Sequence, residues 1–503
     1  MNLNHWCDLD EQIYISETDE EYKQYAGLVY NEKLIENLAE LKIRSSQIFI
    51  DFFSKPRELL LGSIEDIAYS KTKRLELELH NIRNTKIVSS RNMFKGSPVN
   101  WSNWRQFNSI EEDHEKRKDV YDEFIAKTHY ITPIVVKRFS LIKEVYRDLG
   151  ERYGLDPVSS YLEQEKISYS QLVEFIKSMG QIAKRPFQEA LMEVSRSILG
   201  RQPEYYDDFY FFRNKVYSEI DKNFSRINPI NEVKKTLTYM DFDLSKIHFD
   251  TEDRKDKYPS PICFFVRIPT DIRVLYKRET PIFDFQACFH ETGHAMHASS
   301  VDPNIEYWNK YRISMGIAEV FSTFLERLTK SRQYIQSLIG STKIDEIVIN
   351  KLLANTHLME LFFVTFYTAN SLMKMEYWRQ NLSADQACEV YSRLIKEYTG
   401  FEVPGEYWLL HHILPESIMY VPSYLLAAVR AAELESCLRD RFGDIWWKEK
   451  DSGKRLREIM KPGASIDLST FSRLDSSKFL NEITNKHRYQ SKEHISICLL
   501  FIL

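Results

Sequence analysis

The chain has 503 residues, 43% hydrophobic and 28% charged, a balance that suits a globular protein with a large core and excludes intrinsic disorder. Its 68 basic and 73 acidic residues give a formal net charge of −5, which offers no long-range attraction to nucleic acid or to an anionic membrane. With 15 Gly and 16 Pro there are few breakers, so a mainly α fold is expected over a turn-rich sandwich or barrel.

Met1 to Glu20 is polar and acidic and does not read as a signal peptide. The longest uninterrupted apolar stretch, Ile497 to Leu503, falls far short of the roughly 20 residues that span a bilayer. The six cysteines are scattered without paired spacing, which argues against a disulfide framework and against a thiolate metal knuckle. A reducing cytoplasm is the expected compartment.

In chain order, the first two hundred residues read as helices alternating with charged surface runs, as in Lys33 to Phe53 and Ser170 to Ile198, without a fixed-period repeat. Gly96 to Ser109 reads as a polar loop whose Trp101 and Trp104 pack, and the charge-dense Glu111 to Asp119 as a solvated helix face. Asn228 to Pro261 is polar and turn-rich, a connection. Two β-type runs, Ile262 to Ile268 and Ile272 to Tyr276, flank Pro269, Thr270 and Asp271 and predict a hairpin. Helical patterns follow from Pro281 to Ser299, from Gly316 to Leu328, and from Ser383 to a stop at Gly400, with Ser383 and Gln386 as a capping box.

The first of these later helices contains His290-Glu291-Thr292-Gly293-His294, an HExxH pattern. Residues four apart share a helix face, so two imidazoles can bind one tetrahedral Zn²⁺ while the glutamate between them reaches a water. His290, His294 and His297 fall in one sector of the helix and Phe285, Cys288, Phe289, Thr292 and Met296 in the opposite one, so one face packs and the other presents imidazoles. A third histidine ten residues after His290 is not available, because that position is Ser300. His297 lies a further turn along the same straight helix, where three ligands rarely close one cap. Glu319, on the polar side of the following amphipathic helix with Thr323 and Glu326, is the better third ligand, and Ser322 or Thr323 could support it.

The strings HETGHAMH, GIAEVFST around Glu319, and RIPTDIRV before the histidine helix resemble the thimet oligopeptidase and oligoendopeptidase F family of zinc peptidases over Ile262 to Leu434. The resemblance implies a two-lobed, mainly α-helical zincin-like fold around a deep central channel, with a small hairpin or sheet beside the zinc helix. It implies one Zn²⁺ held by His290, His294 and Glu319, Glu291 as general base, and short peptides as substrates. The family also uses a downstream His and Tyr segment. Its counterpart here, Trp408 to Tyr424, offers Tyr424, Tyr420 and His412 as oxyanion or substrate contacts, with Tyr424 preferred although its spacing from Tyr420 departs from the family pattern. The regions expected are an N-terminal helical one over 1–200, a zinc-binding catalytic one over 201–485 and a tail over 486–503.

The hairpin beside the metal offers a strand edge for an extended peptide, and Arg267 or Arg273 a contact for its carboxylate, against the plainer reading of solvated arginines. The competing functions are a carboxypeptidase or dipeptidyl carboxypeptidase on a related scaffold, and a peptide-binding protein without catalysis. A structural zinc is disfavoured, since only His297 stands ready to close the fourth position.

Overall fold

The computed structural model describes residues 55–85, 87–101, 103–252, 261–277, 281–411, 413–467 and 474–484. The helix read over Lys33 to Phe53, the tail over 486–503 and His412 lie outside the described residues.

The fold is mainly α. It begins with α1 (Lys55–Thr85), a hairpin of β1 (Ile87–Phe94) and β2 (Ser97–Asn100), and α2 (Trp104–Ile110) to α6. These intervening helices are α3 (His114–Ala126), α4 (Thr132–Val145), α5 (Pro157–Gln164) and α6 (Tyr169–Leu199). The start and stop of α6 are written locally: Ser168 and Gln171 form a reciprocal capping box, and Gly200 ends the helix at φ +69°. Trp101 and Trp104 are buried, stacking edge-on or tilted against Phe124, so this loop is a packing element, and Trp104 already starts α2.

Two readings of the N-terminal half change. Within Glu111 to Asp119 most side chains are solvated, but Arg117 is buried on Asp207 at 2.7 Å, because α3 turns this one position inward. The presumed connection after Asn228 contains an 11-residue helix, α8 (Pro229–Tyr239), which follows the short α7 (Ser218–Phe224). Asn228 caps its N-terminus, Pro229 takes the first turn, and Ile230, Val233 and Leu237 form a buried stripe that the surrounding polar residues mask in the sequence.

The second half holds a three-stranded sheet in the order β3 (Ile247–Asp250), β5 (Asp271–Leu275), β4 (Ile262–Arg267). β4 and β5 form the antiparallel hairpin expected, and β3 adds in parallel to the far side of β5, leaving β4 as an edge. The helices that follow are α9 (Pro281–Ser300), α10 (Tyr307–Tyr311), α11 (Met315–Leu328), α12 (Arg332–Ile339), α13 (Lys343–Arg379), α14 (Ala384–Thr399), α15 (Pro422–Phe442), α16 (Lys450–Met460) and α17 (Ser477–Thr484). The Ser383/Gln386 box and Gly400 delimit α14 as predicted.

α9 packs on α11, which in turn packs on α15, while the long α13 lies along α6 and α14. α13 contains a segment, Asp345–Arg379, apolar and long enough to cross a bilayer by length and composition. Half of its most apolar stretch is buried within the protein.

Candidate metal centre

α9 is seated at its start by Asp221 of α7, whose carboxylate accepts the Ile282 N–H at 3.0 Å and so satisfies one unpaired donor of the first turn. Farther along, Gly293 lies at the crossing with α11. A Cβ there would sit 2.4 Å from the Phe321 carbonyl oxygen and 2.6 Å from the Ser322 Cα, so only glycine lets the two helices approach this closely. This contact sets the metal site, because His290 and His294 flank Gly293 on α9 and Glu319 lies one turn before Ser322 on α11.

The start of α11 is fixed by a buried polar clamp absent from the sequence reading. Glu165, 1% exposed after α5, accepts the Gly316 N–H at 3.0 Å. Arg430 of α15 bridges the Glu165 carboxylate at 2.7 Å and the Gly316 carbonyl at 3.0 Å. Glu319 is one turn beyond this clamp.

Three ligand atoms, one each from His290, His294 and Glu319, lie within 4.8 Å of one another. His290 Nε2 is 3.3 Å from Glu319 Oε2, and His294 Nε2 is 3.8 Å from Glu319 Oε1. Ligands about 2.1 Å from a shared tetrahedral ion stand about 3.4 Å apart, so this donor set fits Zn²⁺. The other faces of the rings are occupied: His290 Nδ1 meets Glu326 Oε2 at 2.9 Å, and His294 hydrogen-bonds the Ala318 backbone. Holding Nδ1 leaves Nε2 for a metal. Glu326 is seven residues after Glu319, two turns along one face, so its nearness was legible, but its partner was not. Ser322 Oγ donates to Glu319 Oε2 at 2.9 Å, which meets the expectation for one of the two hydroxyls.

His297 shares the sector of His290 and His294 but is covered. It is 3% exposed, with its ring 4.3 Å from that of Phe321. The close helix crossing at Gly293 covers the turn that follows, so the presenting face of α9 ends at His294.

Glu291 is half-buried, and its Oε2 accepts the Cys263 N–H from the β4 edge at 2.8 Å. Burial, aided by the nearby Glu319 carboxylate and opposed by His290, raises its pKa to about 7. Burial lowers His294 to about 4. For His290 burial pulls downward, but hydrogen bonds to Glu319 and Glu326 prevail and hold its pKa well above the ordinary value. Glu319 is held well below the carboxylate range, because the histidines and the Tyr420 hydroxyl outweigh its burial.

The segment between His411 and α15 supplies the phenol of Tyr420, and the first turn of α15 that of Tyr424. Tyr420 donates its hydroxyl to Glu319 Oε1. Tyr424, preferred from the sequence, lies with its ring 5.3 Å from that of Tyr420 and 4.7 Å from that of Tyr367 on α13, a residue the sequence reading missed. The loop is gripped from α13. Lys374, 1% exposed, donates to the Leu414 carbonyl at 2.8 Å, and Trp378 Nε1 donates to the Ile418 carbonyl at 2.8 Å. Burial keeps the Lys374 pKa well below that of a free lysine. His411 Nδ1 accepts the Ile413 and Leu414 N–H groups at 3.1 and 3.2 Å, so this histidine shapes the turn. Arg273 pairs its guanidinium with Asp271 of the same hairpin at 2.8 and 2.9 Å and is 19% exposed, so it is not the solvated arginine of the plainer reading.

The profile of peptidase family M3 matches residues 85–468. The chain belongs to peptidase family M3. As a member of this family it is a metallopeptidase. Its fold is similar to that of PZ peptidase A with inhibitor 2, at a TM-score of 0.62 and 13% identity, covering 97% of this chain and 86% of that one. A protein assigned as an oligoendopeptidase F from Bacillus anthracis str. Ames aligns at a TM-score of 0.58 and 14% identity, over 97% of this chain and 85% of that one. A protein assigned as a peptidase from Chlamydophila abortus gives 0.58 and 13%, over 95% and 79%. No curated protein matches the chain in sequence. At these identities the structural likeness speaks for the fold alone, and the M3 assignment rests on the family profile.

Proposed function

We propose that this M3 peptidase is a zinc enzyme that hydrolyses short peptides, with His290, His294 and Glu319 as ligands and Glu291 as general base. The observation that carries the reading is the convergence of two Nε2 atoms and one carboxylate, with Glu291 on the same helix as the histidines and its carboxylate held by the β4 edge. When bound, Zn²⁺ supplies Lewis acidity toward the scissile carbonyl and an acidified water. Glu291, its pKa near neutrality, is suited to take a proton from the attacking water and return it to the leaving amine. β4 is an edge strand whose Cys263 N–H already points at Glu291, so an extended peptide pairing along that edge would pass the site with backbone contacts that ignore side-chain identity. Free thiols at Cys263, Cys288, Cys388 and Cys437 support a reducing, cytoplasmic setting.

The test is metal content by elemental analysis together with cleavage of a mixed pool of short peptides, with and without chelator. One zinc per chain and chelator-sensitive cleavage are expected; zinc without cleavage of any peptide would favour a binding protein. Cleavage of C-terminally amidated peptides separates an endopeptidase from a carboxypeptidase.

For the oxyanion we assign Tyr420 ahead of Tyr424, because its hydroxyl already reaches the ligand sphere. Tyr420→Phe is expected to lower kcat by roughly 10²–10³ with zinc retained, and Tyr424→Phe by much less. Loss of zinc in Tyr420→Phe, at unchanged kcat of the zinc-loaded fraction, would make this phenol a support for Glu319 instead.

Zinc binding should also release protons in a pH-dependent count. At pH 6 His290 is charged and Glu291 largely protonated, whereas His294 and Glu319 have already lost theirs. Calorimetry in buffers of different ionisation enthalpy should therefore approach about two protons released per zinc at pH 6, and about one in Glu291→Gln. Equal counts in the two proteins would contradict the proximity of Glu291 to the ion.

A further inference from the structure

Beside Tyr420 lies a cavity of about 520 Å³ that the hydrolytic chemistry does not use. It runs from Tyr420 between α1, α5 and the segment leading into α11, and its volume is that of a small-ligand site. Its wall has one-sided chemistry. Glu65, Asp66 and Glu163 contribute carboxylates, and Tyr69, Tyr146 and Tyr161 contribute rings.

The cations that line it are otherwise engaged. Arg312 Nη2 is bound to Asp66 at 2.5 Å, and its Nη1 is packed over Gly62, where a Cβ would lie 1.9 Å away. Lys166 is exposed. Glu65 accepts a hydrogen bond from Gln164 at 3.2 Å, and among the described residues no cation forms a salt bridge with it. Ser160, 2% exposed, also lines the cavity, with the Tyr146 phenol as its polar neighbour. A half-buried carboxylate whose nearest cation, Arg312, is spent on Asp66, together with the rings of several tyrosines, forms a complement to an ammonium or guanidinium group.

We propose that this cavity is a substrate subsite that receives a cationic group of the bound peptide, with Glu65 as its anionic partner and the tyrosine rings as its walls. The assignment rests on the peptidase reading, since Tyr420, which lines the cavity, also donates to the candidate ligand Glu319. The cation has two sources, the free amino terminus of the peptide or a lysine or arginine side chain at a fixed distance from the scissile bond.

The test uses zinc-loaded Glu291→Gln, so that binding is read apart from turnover. Fluorescence anisotropy compares short peptides carrying lysine or norleucine at each position in turn, each with a free and an acetylated amino terminus. A cationic member is expected to bind about tenfold more tightly than its neutral twin, the scale of one charge-assisted hydrogen bond. Sensitivity to acetylation identifies the terminus as the source, and sensitivity at a single lysine position identifies a side chain. Adding Glu65→Gln should bring the ratio close to one. Should that variant fail to melt cooperatively, Glu163→Gln on the exposed rim is expected to reduce the ratio about two- to threefold. Equal affinities throughout, or a preference that survives both substitutions, would overturn the assignment. Hydrolysis of the same peptides by the unaltered enzyme separates the two readings: cleavage without charge preference removes only the subsite, and charge-selective binding without any cleavage removes only the hydrolase.

Discussion

Glu291→Gln is expected to retain one zinc per chain and to lower kcat by roughly 10²–10⁴, the contribution of a positioned general base. The amide keeps the volume of the carboxylate and can still accept the Cys263 N–H that Glu291 accepts at 2.8 Å, so what is removed is basicity. Residual turnover within tenfold of the parent would remove Glu291 from the proposed role. The same substitution carries a stability signature. The folded-state pKa of Glu291 is raised by burial from 4.5 to about 7, so the stabilisation from its protonated form is complete below pH 4.5 and is lost as the pH rises through 7. Metal-free Glu291→Gln should therefore melt above the parent at pH 8 and level with it at pH 4. A difference of opposite sign at pH 8 would mean that the carboxylate is not desolvated in the folded chain.

Arg430→Met is expected to cost about 3–5 kcal/mol of folding stability, the scale for stranding one member of a buried ion pair. Arg430 is 4% exposed and Glu165 1%, and the lost guanidinium bridges both the Glu165 carboxylate and the Gly316 carbonyl. Because Gly316 lies in the first turn of the helix that carries Glu319, zinc affinity should fall with stability. The double substitution Arg430→Met with Glu165→Gln removes the stranded charge, and should recover most of the stability while recovering less of the zinc affinity. A single-mutant cost below about 1 kcal/mol in denaturant titration, where surface ion pairs fall, would show that the clamp does not hold α11.

Much of the site was legible because its chemistry is periodic. His290 and His294 are four apart on one helix, so helical geometry alone puts them on one face. Glu319 required more than periodicity, since an amphipathic helix with exposed glutamates looks the same, and the family resemblance weighed in its favour. Periodicity also grouped His297 with His290 and His294 as a presented imidazole, whereas it is 3% exposed. Angular phase places all three together, but it carries no information about where a second helix crosses. The crossing at Gly293 brings α11 within 2.4 Å of where a Cβ would stand, and it covers the next turn.

The elements themselves followed local rules wherever the signals were local. The Ser383/Gln386 box, Gly400 and the hairpin around Pro269 lie within a few residues of what they control. α8 escaped notice because its buried stripe is sparse and its exposed side polar, so composition outweighed period.

By itself, then, the sequence determined a mainly helical chain, the two-histidine face and the means of starting and stopping particular helices, because each depends on neighbours within one or two turns. Tertiary structure alone decided that Glu326 holds His290, that Cys263 holds Glu291, that Tyr420 meets Glu319, and that Glu165 and Arg430 seat the start of α11. These partners are 36, 28, 101, 151 and 265 residues apart in the chain, separations over which only the packing of whole helices and strands, and not any local pattern, fixes which polar groups meet.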